Sequence, residues 1–96
     1  MDVLVSYDVN TEDAAGRTRL RKVAKICIGY GQRVQKSVFE CSVDEMQVEK
    51  LRERLVKCID EKKDSLRIYR LVEPREKHVE SYGLDAYVDF DAPLVV

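Results

Sequence analysis

The residues able to do chemistry lie in two places. Asp8 follows the short apolar run Val3-Leu4-Val5-Ser6-Tyr7 and precedes a polar stretch, Asn10-Thr11-Glu12-Asp13. A carboxylate where a strand leaves its sheet is held rigidly yet reaches solvent, which suits a ligand for a hard cation. An aspartate that only hydrogen-bonds its own turn reads the same way. One carboxylate makes a poor metal site. Magnesium keeps several waters and takes one or two protein carboxylates plus substrate phosphate, so two copies of Asp8 across a twofold axis would supply what one chain lacks.

The second place is a run of cations. From Gly16 to Lys36 stand Arg17, Arg19, Arg21, Lys22, Lys25, Arg33 and Lys36 with no acidic residue among them. The rest of the chain is strongly acidic, so the net charge of −1 hides a dipolar distribution. Such a row suits phosphate contact, although a solvated helix face has the same composition. By contrast, Glu49, Lys50, Arg52, Glu53, Arg54, Lys57, Asp60 and Glu61 mix both signs, as an ordinary solvated helix face does.

Other reactive side chains find no partners in the sequence. His78 is the single histidine and belongs to no Ser or Cys nucleophile motif. Cys27, Cys41 and Cys58 are odd in number and lack a CxxC pair, which argues against a disulfide framework or a zinc site and for packing roles. Tyr7 and Phe39 either stack on bases or fill a core. There is no glycine-rich phosphate loop.

The elements that must position these residues follow from hydrophobic period. Val3 to Val9 reads as a strand buried on both faces. Gly16 to Ile28 carries a helical stripe of Leu20, Val23, Ala24 and Cys27, stopped by Gly29 and Gly31. Between Arg33 and Val43 the apolar positions shift from even (Val34, Val38) to odd (Phe39, Cys41, Val43), so two strands meet at a turn or bulge near Lys36-Ser37. Asp44 with Gln47 forms a capping box ahead of the stripe Val48, Leu51, Leu55, Cys58 and Ile59, in a helix expected to reach about Lys62. Leu66 to Val72 closes the order βαββαβ, and Pro74 ends it. The expected fold is α+β, a ferredoxin-like antiparallel sheet with both helices on one face, over residues 1–74. Residues 75–96 are expected to add a C-terminal strand and tail, packed on a dimer partner.

With 96 residues and 45% hydrophobic content the chain supports one modest core, and a partner chain would help to cover it. No apolar run is long enough for a membrane span and no signal-peptide pattern opens the chain, so a soluble, cytoplasmic protein is expected.

The segments Val3-Leu4-Val5-Ser6-Tyr7-Asp8-Val9, Arg19-Leu20-Arg21-Lys22-Val23-Ala24-Lys25, Tyr30-Gly31 and Arg33-Val34-Gln35-Lys36-Ser37-Val38-Phe39-Glu40 together resemble the CRISPR-associated protein two family. The resemblance implies a homodimer whose sheets meet across a twofold axis and a paired strand-one aspartate, here Asp8, that binds magnesium. It further implies metal-dependent endonuclease cleavage of RNA or DNA, and partnership with the CRISPR integrase in spacer acquisition. Carried over by position, Tyr7 is the aromatic beside the metal ligand. Arg17, Arg19, Arg21, Lys22, Lys25, Arg33, Lys36 and Phe39 form the nucleic-acid-binding set. Ala14-Ala15-Gly16 is expected to lengthen the loop after the first strand. A non-catalytic, DNA-binding adaptor for the integrase is the alternative the resemblance allows.

Overall fold

The computed structural model describes residues 1–83. Its elements run β1 (Asp2–Asp8), α1 (Ala14–Ile28), β2 (Gly31–Gln35), β3 (Val38–Ser42), α2 (Glu45–Cys58) and β4 (Ser65–Leu71), followed by a 3-10 turn at Arg75–Lys77. The sheet order is β2-β3-β1-β4, and every neighbouring pair is antiparallel. This is the expected ferredoxin-like α+β arrangement.

Burial shows which face the helices cover. Along β1 the side chains alternate, with Val3, Val5 and Tyr7 buried and Leu4 and Ser6 half-buried. The reading of this strand as buried on both faces is therefore corrected: α1 and α2 cover one side only, and among the described residues the other side is partly open. On the covered side Val23, Cys27, Val48, Leu51 and Leu55 meet Val3, Val5, Phe39 and Cys41 in one core. Full burial of side chains this size contributes about 1.5–3 kcal/mol each.

Cys27 and Cys41 are buried packing residues. Burial pushes the Cys27 thiol up to about 12 and the Cys41 thiol to about 11, which keeps both protonated and inert near neutrality. Lys36 and Ser37 form the turn between β2 and β3, with a register irregularity between Arg33 and Gln35 that absorbs the change of hydrophobic phase. The Asp44–Gln47 capping box closes in both directions.

Three boundaries differ from the sequence reading. Ala14, Ala15 and Gly16 do not lengthen a loop: Asp13 caps the helix by accepting the Gly16 N–H at 2.7 Å, so they form the first turn of α1. Helix α2 stops at Cys58 instead of near Lys62, because Ile59 is extended and the Asp60 carbonyl starts a new turn that accepts the amides of Lys63 and Asp64. Between Arg75 and Gly83 the described residues hold only the 3-10 turn, so this part of the expected C-terminal strand and tail forms no strand. The extra strand expected nearer the C-terminus lies outside the described residues.

Gly16 is buried where the first turn of α1 crosses the loop after β1, and a Cβ there would run into the Asn10 carbonyl. Alanine normally stabilises a helix over glycine by about 0.5–1 kcal/mol. Forcing atoms into a filled space costs about 1–3 kcal/mol, which decides the sign. Gly16→Ala is therefore expected to lower stability in urea unfolding, and a gain would show that the loop moves aside freely.

Candidate active site and nucleic-acid surface

Asp8 is the last residue of β1 and pairs in register with Ser65 at the start of β4. Strand alternation puts it on the same side as Leu4 and Ser6, the side without helices, and it is exposed. It shares a shallow pocket of about 370 Å³ with Asn10, Lys62, Lys63, Asp64 and Ser65. Among the described residues no cluster of three or more His, Cys, Asp or Glu side chains gathers to hold a metal. The donor set of one chain does not cage a cation. Asp8, an exposed and sheet-held carboxylate, is the kind of single ligand that a hydrated magnesium ion takes from one chain.

The pocket contains a residue that the sequence reading passed over. Asp64 precedes β4 and its side chain is 0% exposed, yet it is fully partnered. One oxygen accepts from the Asn10 N–H at 3.0 Å and from Arg19 Nη2 at 3.3 Å. The other accepts from Arg19 Nε at 2.8 Å and from the Asp60 N–H at 2.9 Å. Burial alone would raise this carboxyl, but the Arg19 guanidinium and the two amides outweigh it and hold the group below the usual carboxylate range. In sequence Asp64 stands in a charged stretch, 60–64, just past the expected end of the second helix. Its significance comes from a partner 45 residues away.

That pairing redefines one cation of the basic run. Arg19 turns inward, its side chain only 16% exposed, and is committed to Asp64. Arg17, Arg21, Lys22 and Lys25 are exposed on α1 and Lys36 at the β2–β3 turn. Arg17 reaches the Thr11 carbonyl at 3.2 Å and Arg21 the Thr18 hydroxyl at 3.2 Å. Helix α1 covers the face opposite Asp8 and runs back along β1, so the row of cations leads away from that carboxylate. Lys22 and Lys25 line a groove of about 960 Å³ between the helices, together with Arg54 and Lys57 of α2. One flank of α2 thus joins the basic surface, contrary to its reading as a mixed-charge face throughout.

The two aromatic rings are core residues. Phe39 is fully buried and Tyr7 is 5% exposed, with ring centroids 6.3 Å apart in a stacked arrangement. Neither offers a face to a base in this chain. The Arg33 guanidinium sits over Phe39 at 5.1 Å from the ring centroid, so Phe39 supports this arginine from the core side. Burial raises the Tyr7 hydroxyl above its ordinary value, opposed by the nearby Arg33.

Comparison with known proteins agrees across the chain. Residues 1–79 match the family model described as CRISPR associated protein Cas2. The whole sequence is 62% identical to the full length of the CRISPR-associated endoribonuclease Cas2 1 of Moorella thermoacetica. It is 53% identical to the CRISPR-associated endonuclease Cas2 of Halalkalibacterium halodurans, over 99% of both chains. The crystal structure of Streptococcus pyogenes Cas2 at pH 6.5 superposes with a TM-score of 0.78 at 57% identity, covering 86% of this chain and 100% of that one.

The state of Asp64 sets a pH dependence. A carboxyl whose folded pKa is depressed adds stability that is complete above its unfolded value, about 3.9, and is lost as pH falls through the folded value. Asp64→Asn should therefore be less stable than wild type at pH 7, and the gap should narrow as pH drops below about 4. Urea midpoints measured across that range check this, and a gap independent of pH would show that Asp64 does not carry charge in the folded protein.

Proposed function

Because the chain belongs to the CRISPR-associated protein Cas2 family, we propose that it is a magnesium-dependent endonuclease of CRISPR adaptation that acts as a homodimer on RNA or DNA phosphodiesters alongside the CRISPR integrase. The observation that carries the reading is the position of Asp8: exposed, rigidly held at the end of β1, and on the sheet face that the helices leave open. Relatives carrying the endoribonuclease and endonuclease names match nearly the full length.

The same face supports dimerisation. It presents half-buried Leu4 and Val38, with Tyr69 43% exposed, an apolar set that a second copy would cover. Asp8 belongs to this layer, so packing the face on a copy of itself draws two Asp8 side chains into one interface. A divalent cation held by the pair would activate water and offset charge on the scissile phosphate. Asp8 supplies the carboxylate, with Lys62 and Lys63 beside it to meet phosphate oxygens. Arg17, Arg21, Lys22, Lys25, Lys36 and the Phe39-supported Arg33 would bind the backbone of the nucleic acid, with Arg19 holding Asp64 beside the strand end that carries Asp8.

Two experiments test this reading. Asp8→Asn should reduce magnesium-dependent cleavage to background while fold and nucleic-acid binding persist, measured on purified proteins with magnesium and with chelator. Equal cleavage by both proteins would place the chemistry elsewhere. Absence of cleavage by either, with binding to DNA and integrase intact, would favour the adaptor role. For binding, Lys22→Glu with Lys25→Glu, both in the basic groove, should weaken affinity more than Lys50→Glu with Arg52→Glu, which lie outside it. The logarithm of affinity should fall with that of salt by about 0.7–0.9 per phosphate neutralised. Equal losses from the two pairs would remove α1 from the binding surface.

A further inference from the structure

Asp64 joins three stretches of chain that are distant in sequence. Its four hydrogen bonds go to the loop after β1 through the Asn10 amide, to α1 through Arg19, and to the turn after α2 through the Asp60 amide. A buried ion pair is a costly way to stabilise a fold, since apolar residues of the same volume often do as well or better. What the bonds add is geometry. Asn10 lies two residues beyond Asp8, and Ser65, the register partner of Asp8, directly follows Asp64. The carboxylate therefore fastens the chain on both sides of Asp8, covalently through Ser65 and by hydrogen bond through Asn10. Asn10 is held from a second direction as well, because the buried Gly16 of α1 packs against its carbonyl.

We propose that Asp64, fixed by Arg19, is a positioning residue for Asp8: it sets the direction in which that carboxylate leaves the sheet, without touching substrate. The inference rests on the reading of Asp8 as the catalytic carboxylate. Asp64→Asn preserves shape and one acceptor but loses the charge and the second acceptor that the Arg19 fork requires. The cations of α1 and Lys36 of the β2–β3 turn, which would bind the nucleic-acid backbone, keep their places. The loss should thus fall on turnover and on cation affinity, and KM for the nucleic acid should stay near the wild-type value.

The experiment uses the full chain in four forms: wild type, Asp64→Asn, Asp8→Asn and Leu51→Val, the last a core substitution far from the pocket that lowers stability in general. Cleavage of a single-stranded RNA and of a DNA duplex gives kcat and KM, calorimetry with magnesium chloride gives cation affinity, and hydrogen exchange reports the Asn10 amide. Expected for Asp64→Asn are a kcat or magnesium affinity lower by about ten-fold, unchanged KM, and faster exchange at Asn10. If Asp64→Asn fails to fold, Arg19→Lys, which keeps the charge but not the two-pronged donor, enters the same comparison with the same expectations. Wild-type kcat and magnesium affinity in these variants, with Asp8→Asn inactive, overturns the positioning role alone. An equal loss of kcat in Leu51→Val, compared at the same margin below each Tm, also overturns it, because the effect is then one of general stability. Full activity in Asp8→Asn, or none in wild type, overturns the reading of Asp8 and the positioning role with it.

Discussion

A four-stranded sheet has two faces, and the two helices of this chain cover one. From that asymmetry follows the fate of nearly every residue of interest. Val3, Val5, Tyr7, Phe39 and Cys41 point toward α1 and α2 and are sealed in the core. Leu4, Ser6 and Asp8 point the other way and remain available. A carboxylate in place of Tyr7 or Val9, both buried, would lie in the core, where an unpartnered charge is expensive. The period of two along a strand thus selects Asp8 as the group that reaches outward.

The exposed face gives Asp8 access, but access alone does not give direction. Beyond Asp8 the chain leaves the sheet, and a free loop would let the carboxylate sample many orientations. The Asp64–Arg19 pair, the Asn10 amide and the close approach of Gly16 remove that freedom. Asp8 and its support therefore meet at the same strand end, where both line one shallow pocket. The cations divide as well: Arg19 is committed to Asp64, whereas Arg21, Lys22 and Lys25 stay exposed, and Lys22 and Lys25 share a groove with Arg54 and Lys57.

Much of this was legible in the residues. Element order, the turn at Lys36-Ser37, the Asp44–Gln47 cap and the placement of Asp8 at a strand end all depend on interactions within a few residues, and local pattern reports such interactions faithfully. The errors fell where a distant contact or a cap intervened. Ala14 to Gly16 joined α1 because Asp13 captures the Gly16 amide, and α2 stopped early because the turn at Asp60 is closed by Asp64.

By itself the sequence determined the βαββαβ order, the apolar stripes, the run of like charge and the family motifs, because period and composition are properties of neighbours along the chain. Only the tertiary structure decided which of the cations face solvent, that Phe39 and Tyr7 are buried, and that Asp64 stands behind Asp8. Those facts depend on the pairing of segments 45 and 54 residues apart, and no local pattern encodes the approach of two charges that meet only when the helices pack on the sheet.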